Sequence, residues 1–255
     1  MKDMLVWIDC EMTGLDLAHD GLIEVAALVT DGQLNVQGEG VDVIIKPEPQ
    51  WLDHMNDFVR NMHTTSGLLA ELDKGLTMAQ AQDQVLDYIR TYVPQAGKAP
   101  LAGNTIGTDR SFLAKDMPKL ESYVHYRNVD VSSIKELARR WYPRAFGHSP
   151  EKQGNHRALA DIQESIEELM YWREVLMVPS PGPETTRCDE IAAKYQGFLT
   201  GGWERLTPAG EKVKVAFLFQ KQIPFTGCLR EARGGYSSVG RAPGCGPGGR
   251  GFKSR

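Results

Sequence analysis

Short apolar runs predict three consecutive strands in the amino-terminal part of the chain. The first, over residues 4–9, opens with Met-Leu-Val-Trp-Ile, a run that suits a buried strand. Further strands are predicted over residues 22–30 and 34–46. The pair Asp31-Gly32 lies between these two strands and is typical of a hairpin turn.

Later in the chain, apolar residues recur with the period of a helix. Ala81, Val85, Leu86 and Ile89 share one face of a helix predicted over residues 77–92. The remaining predictions, in chain order, are a strand at 100–103, a helix after Asp109, a strand at 126–131 and helices at 132–141 and 156–177. Strands followed by alternating helices and strands favour an α/β fold, a mixed β-sheet flanked by helices.

A change in composition divides the chain near Pro179. The predicted folded domain covers residues 1–180, and a Pro-rich linker with a possible helix follows over residues 181–198. Residues 199–255 form a Gly/Arg-rich tail that is predicted to be disordered.

The tail has two interpretations. Residues 230–255 carry six basic residues and one acidic residue, a net charge of +5, which is typical of an RNA-binding arm. We favour the second, in which the reading frame has run on into a downstream transfer-RNA gene. The codons available for residues 237–242 and 248–255 can spell the D arm and the T arm of such a gene.

Asp9 and Glu11 are the first residues that suggest chemistry. They follow the first apolar run, and residues two apart in a strand point to the same face. Two adjacent carboxylates repel each other unless a cation lies between them, and hard oxygen ligands favour Mg²⁺ or Mn²⁺. A solvated turn is the alternative interpretation of this pair.

Two later segments add a carboxylate each, and the second adds a histidine. Asp109 follows the Gly-containing loop 103–108 and is either a helix cap or a metal ligand. Asn155 is predicted to cap a later helix, with His156 in its first turn and Asp161 about one turn further. The helix dipole there would keep His156 neutral and able to accept a proton from water. The alternative for His156 is a surface residue without a role.

Together these residues follow the order Asp-x-Glu, Asn-x4-Asp and His-x4-Asp, which resembles the DEDDh 3′-to-5′ exonucleases and, within them, the oligoribonuclease family. Three segments carry the resemblance: Trp7–Leu15, Gly103–Asp109 and Gln153–Asp161. The resemblance implies a ribonuclease H-like fold and two-metal-ion release of 5′-mononucleotides from very short RNA. It implies that the metal ligands are Asp9, Glu11, Asp109 and Asp161, with His156 as the general base.

The resemblance also implies substrate contacts. Leu15 matches a leucine that wedges the terminal bases, and Phe58 stands where many relatives carry a stacking Trp. A core aromatic residue is the alternative for Phe58. His63 and Thr105 match positions that line the substrate site.

A homodimer is implied by the same resemblance. Arg127 and Ser132 are similar to residues that hold the 5′ phosphate and come from the partner subunit. Such an arrangement would close the site beyond a few nucleotides. A DNA proofreading or repair exonuclease shares the five central residues, and a non-catalytic RNA-binding protein acting through its tail is the third alternative.

The composition of the chain helps to predict where the protein is located in the cell, but it does not indicate which substrate the protein binds. The net charge of −4 does not argue against a nucleic-acid enzyme, because short substrates and bound cations need no large basic surface. No apolar run approaches the ~20 residues of a membrane span, and the start lacks the form of a secretory signal. The four cysteines show no C-x-x-C spacing, so the sequence predicts a cytoplasmic protein.

Overall fold

The computed structural model describes residues 3–151 and 157–196, together with two short strands at 203–206 and 212–215. The chain divides into two compact units, Met1–Pro183 and Glu184–Arg255. The first unit contains all of the residues that the sequence analysis assigns to chemistry, although His156 lies outside the described residues.

A five-stranded mixed sheet forms the centre of the first unit. Its strands are β1 (Leu5–Met12), β2 (Leu22–Thr30), β3 (Val36–Ile44), β4 (Pro100–Gly103) and β5 (His125–Asp130), in the spatial order β3-β2-β1-β4-β5. β1 pairs antiparallel with β2 and parallel with β4, and β4 pairs parallel with β5. The carboxyl ends of β1, β4 and β5 therefore meet at one edge of the sheet, and the predicted mixed sheet is confirmed.

Helices cover both faces of this sheet. They are α1 (Pro49–His54), α2 (Asp57–Thr65), α3 (Met78–Tyr92), α4 (Ile106–Asp116), α5 (Pro118–Tyr123), α6 (Val131–Trp141), α7 (Pro143–Phe146) and α8 (Ala158–Leu176). Thr77 and Gln80 form a capping box that begins α3, as expected for a Thr-x-x-Gln sequence. The predicted apolar face of α3, Ala81, Val85, Leu86 and Ile89, is buried.

The alternation of side chains along β1 divides the core into two layers. Val6 and Ile8 pack with Val85 of α3 on one face of the sheet. Trp7 points to the other face and packs with Trp172 of α8. The indole Nε1 of Trp7 donates to Thr30 Oγ1 at 3.0 Å, so this buried polar group is satisfied. β1 is thus buried from both sides and holds its carboxyl end rigidly.

Two predicted helix starts were wrong. α4 begins at Ile106, because Thr105 takes a left-handed conformation (φ 54°) and the helix starts directly after it. α8 begins at Ala158 with Arg157 at its N-cap position, later than the predicted start at residue 156. The predicted cap, Asn155, lies outside the described residues.

The second unit contains α9 (Thr185–Tyr195) and an antiparallel pair of strands, β6 (Trp203–Leu206) and β7 (Lys212–Val215). The tail predicted to be disordered, 199–255, lies outside the described residues apart from these two strands. Among the residues that the structure describes, no helix has the length and apolar character needed to cross a bilayer.

Candidate active site

Three carboxylates converge at the carboxyl end of β1. Asp9 and Glu11 lie two residues apart on that strand, and Asp161 lies in the first turn of α8. One carboxylate oxygen from each of the three lies within 4.8 Å of the other two. The fold therefore brings together three of the four predicted metal ligands, from segments about 150 residues apart in the sequence.

Asp109 is fixed beside this cluster by a backbone hydrogen bond. The amide N–H of Cys10 donates to Asp109 Oδ1 at 3.0 Å, and Cys10 is the residue between Asp9 and Glu11. Asp109 is buried in the first turn of α4, and Thr105 occupies the N-cap position. The interpretation of Asp109 as a helix cap was therefore wrong.

Burial and like charge act together on these carboxylates. Burial, together with the charges of Glu24, Asp161 and Asp109, raises the pKa of Glu11 to about 8, although the charge of Arg157 opposes this shift. Burial also raises the pKa of Asp109 to about 6, although the N–H of Cys10 favours the charged form. Carboxylates in this setting gain stability from a cation, and an all-oxygen ligand set suits a hard divalent ion. The residues present fit such a metal.

His63 lies behind the cluster. Its side chain is fully buried, with Nε2 at 2.9 Å from the carbonyl oxygen of Met12 and Nδ1 at 3.9 Å from Glu11 Oε2. The predicted substrate residue therefore contacts the strand that carries the carboxylates.

Glu24 and Arg157 form an anchor that the sequence analysis did not identify. Glu24 is fully buried opposite Glu11 in the β1–β2 ladder. Its Oε1 accepts from Arg157 Nε at 2.9 Å, and its Oε2 accepts from the N–H of Ala158 at 3.2 Å. The start of α8 is thereby tied to the sheet one residue after His156. A charged residue inside the apolar strand β2 was the signal that could have revealed this role.

A second anchor, centred on Glu168, holds the loop between β4 and α4. Asn104 Nδ2 donates to Ser165 Oγ at 2.8 Å and to Glu168 Oε2 at 3.2 Å. Glu168 is buried, and its Oε1 lies 3.1 Å from Lys135 Nζ and accepts from Trp172 Nε1 at 3.3 Å. The role of this residue depends on contacts between distant segments and left no local signal in the sequence.

Thr105 and Ser132, two of the predicted substrate residues, are in direct contact. The N–H of Thr105 donates to Ser132 Oγ at 2.9 Å and to Asp130 Oδ1 at 3.1 Å. Ser132 Oγ in turn donates to Asn104 Oδ1 at 3.0 Å. The ends of β4 and β5 are joined by these bonds beside the first turn of α4.

The remaining predicted substrate residues are exposed. Leu15 is 75% exposed and Phe58 is 79% exposed, so the interpretation of Phe58 as a core residue was wrong. Arg127 lies on the edge strand β5, with its guanidinium 5.5 Å from the ring centre of Tyr126. Exposed apolar side chains of this size are available to contact a ligand.

Clustered carboxylates at the edge of a mixed sheet are characteristic of metal-dependent nucleases. The family model described as "Exonuclease" matches residues 6–169. An oligoribonuclease from Streptomyces coelicolor is 65% identical over 195 residues, which cover 76% of this chain and 98% of that protein. Oligoribonucleases from Leifsonia xyli (59% identity, 75% of this chain, 93% of that protein) and Mycobacterium leprae (56%, 77% and 92%) are also similar. The chain belongs to the oligoribonuclease family of exonucleases.

Solved structures of exonuclease I share the fold. A product-bound structure has a TM-score of 0.53 at 14% identity, covering 77% of this chain and 47% of that chain. The metal-free form of an E. coli exonuclease I complex with single-stranded DNA also has a TM-score of 0.53, at 16% identity, covering 76% of this chain and 43% of that chain. This chain spans less than half the length of those proteins. The predicted ribonuclease H-like exonuclease fold is confirmed.

Proposed function

We propose that this protein is a cytoplasmic 3′-to-5′ exoribonuclease that degrades dinucleotides and slightly longer RNA to 5′-mononucleotides with two divalent cations, Mg²⁺ or Mn²⁺. The convergence of Asp9, Glu11 and Asp161, with Asp109 fixed beside them, is the observation that carries this proposal. The oligoribonucleases that resemble the chain over most of their length support RNA as the substrate.

The four carboxylates would hold the cations through their oxygen atoms, three of them from the converging side chains of Asp9, Glu11 and Asp161 and the fourth from Asp109 beside them. Divalent cations bound there would stabilise charge on the phosphate and lower the pKa of the attacking water. His156 would accept the proton of that water as the general base. The anchor between Arg157 and Glu24 fixes the chain next to His156, which supports this role.

Base contacts would come from exposed side chains near the carboxylates. Leu15 lies in the loop that follows β1, the strand that carries Asp9 and Glu11, and its exposure suits a wedge between bases. Phe58 offers an aromatic face for stacking, worth about 1–3 kcal/mol per base. His63 and Thr105 would line the substrate site of the same subunit.

A homodimer would let Arg127 and Ser132 hold the 5′ phosphate of a substrate in the partner's site. The edge strand β5 and the following helix α6 expose Tyr126, Leu137 and Trp141, which supports a contact between subunits there. Light scattering should give twice the chain mass. Arg127→Ala should lower the rate on 5′-phosphorylated dinucleotides and remove their advantage over unphosphorylated ones.

We propose residues 1–180 as the exonuclease domain, which falls within the first compact unit, Met1–Pro183, and we propose that the tail, residues 199–255, is dispensable. The 195 residues aligned with the Streptomyces coelicolor protein cover 98% of it but only 76% of this chain. Deletion of residues 199–255 should leave the rate of dinucleotide cleavage unchanged. Loss of RNA cleavage on deletion would favour the RNA-binding arm, and a nucleotide sequence that cannot fold as a cloverleaf would exclude read-through.

A series of substrates from two to about ten nucleotides tests the proposed reaction most fully. RNA and DNA of each length would be incubated with Mg²⁺ or Mn²⁺, using wild type and Asp109→Asn as the matched inactive control. The expected result is fastest cleavage of di-ribonucleotides and loss of cleavage in Asp109→Asn. Preference for long single-stranded DNA would contradict the proposal.

A further inference from the structure

A second group of potential metal ligands lies on the surface, outside the carboxylate cluster. Asp16 and His19 lie in the loop between β1 and β2, and His54 is the last residue of α1. One ligand atom from each of the three lies within 4.8 Å of the other two. In the described part of the chain, this is the group in which histidines predominate.

The two imidazole rings are stacked, with their centroids 5.0 Å apart and their planes 24° apart. His19 Nδ1 lies 2.8 Å from Asp16 Oδ2, and His54 Nδ1 lies 3.2 Å from Asp20 Oδ1. The two stacked rings thus come from different elements: His19 from the loop and His54 from α1. Their exposed positions give an ion direct access from solvent.

Asp20 holds two members of this group, Asp16 and His54, in position through hydrogen bonds. It is buried, and its Oδ1 accepts from Thr13 Oγ1 at 3.0 Å while its Oδ2 accepts from the N–H of Asp16 at 2.9 Å. The same carboxylate contacts His54 Nδ1, which would leave Nε2 as the ligand atom of that ring. A carboxylate that orients a metal-binding histidine in this way is a recurrent feature of zinc sites.

We propose that Asp16, His19 and His54 form a metal site for a borderline ion of the Zn²⁺ class, distinct from the carboxylate cluster. Two imidazoles and one carboxylate are a ligand set that Zn²⁺ prefers, whereas the all-oxygen cluster suits Mg²⁺ or Mn²⁺. Water would occupy the fourth position. The ion would join the loop that carries Leu15 to the end of α1.

This inference does not depend on the proposed reaction, because its first consequence is binding and stabilisation. An ion that binds only the folded chain raises its melting temperature. The ion would add a coordinate link between the loop and α1, beside the stacked imidazole rings and the contact of His54 with Asp20.

Metal-stripped full-length protein would be titrated with Zn²⁺ in the presence of saturating Mg²⁺, which occupies the carboxylate cluster. Competition with a chromogenic chelator would give the affinity, and thermal unfolding would be followed in parallel. We expect binding at micromolar Zn²⁺ or below, with a rise in melting temperature. His19→Ala and His54→Ala should each weaken this binding roughly tenfold or more.

His148→Ala is the matched control, because it removes another exposed histidine that contacts the carbonyl of Arg144. It should bind Zn²⁺ like the wild type. Any Zn²⁺ bound elsewhere in the chain would be bound equally by wild type and by the three histidine variants, so it does not affect the differences between them. Equal Zn²⁺ affinity in wild type and His54→Ala, or no Zn²⁺ binding by wild type above Mg²⁺, would overturn the proposal. The exposed positions of both histidines leave the fold intact in each variant.

Discussion

Two sets of carboxylates, one fully buried and one buried or half-buried, lie within the first unit and differ in what they face. The oxygens of Glu24 and Glu168 accept hydrogen bonds from the protein's own donors, among them Arg157 and Asn104. In the carboxylate cluster at the end of β1, one oxygen from each of Asp9, Glu11 and Asp161 lies within 4.8 Å of the other two. The difference indicates which carboxylates complete the fold and which are arranged for a ligand.

The free-energy cost of burying a charged carboxylate explains why the two sets differ. A buried charge costs several kcal/mol unless it is paired and hydrogen-bonded. Glu168 meets that cost with Lys135 and two further donors, whereas burial and neighbouring carboxylates raise the pKa of Glu11 to about 8. Changes in the two sets should therefore have opposite consequences for activity and stability.

The largest effect is expected in the cluster. Asp161→Asn removes one ligand and one negative charge while keeping the shape of the side chain. Cleavage of dinucleotide should fall by about a thousandfold or more, since cation binding supplies several kcal/mol of transition-state stabilisation. The melting temperature without metal should not fall, because repulsion with Glu11 is relieved. Near-normal activity of Asp161→Asn would contradict the claim that the cluster carboxylates, unlike Glu24 and Glu168, serve catalysis.

Arg157 connects the two sets, and its removal should have an intermediate effect. Arg157→Ala leaves Glu24 buried without its guanidinium partner and releases the start of α8 beside His156. The kcat should fall by about tenfold to a hundredfold, because the general base is less well positioned. Arg157→Lys keeps the charge but not the planar fork, and it should recover part of the loss. Identical kcat values for wild type and Arg157→Ala would show that this anchor has no role in catalysis.

Glu168 should matter mainly for stability. Glu168→Ala leaves the buried indole N–H of Trp172 without this acceptor and leaves Asn104 Nδ2 with Ser165 Oγ alone, which should lower the free energy of unfolding by about 1–3 kcal/mol in urea. Glu168→Gln retains an acceptor and should cost less. If a Glu168 variant kept full stability but lost activity, Glu168 would belong with the carboxylates arranged for a ligand, and its assignment to the fold would be wrong.

The pH dependence of stability sharpens the comparison further. The pKa of Glu11 is raised from 4.5 in the unfolded chain to about 8 in the fold, so the folded state binds this proton more tightly. With metal removed by a chelator, protonation of Glu11 should stabilise the fold fully below pH 4.5, the pKa in the unfolded chain. This stabilisation should be lost as the pH rises through about 8, the pKa in the fold. Melting temperatures should show a flatter pH dependence in Glu11→Gln, or when Mg²⁺ is added. A pH dependence unaltered by both changes would contradict the assigned shift.

The sequence predicted best what depends on local periodicity. The apolar run at the start of β1 correctly predicted a buried strand, with Asp9 and Glu11 near its carboxyl end. The helix from Met78 was also predicted correctly, because Ala81, Val85, Leu86 and Ile89 recur with the period of a helix.

Features that depend on unusual backbone or distant contacts were not predicted. The left-handed conformation of Thr105 moved the start of α4, and no local pattern announces it. The short helices α1 and α2 were missed, since their apolar faces are too brief to show a period. The partner of Glu24 lies 133 residues away in sequence, beyond the reach of any motif. The role of His156 stays a prediction.

The most direct test of the central claim is to count bound Mn²⁺ while measuring dinucleotide cleavage as Mn²⁺ is returned to metal-stripped protein. We predict that occupancy and rate rise together in wild type and in Glu168→Gln. Both should be lost in Glu11→Gln, whose side chain has the same size and a neutral amide. Full cleavage in the presence of a chelator, or normal Mn²⁺ binding and cleavage by Glu11→Gln, would contradict the account.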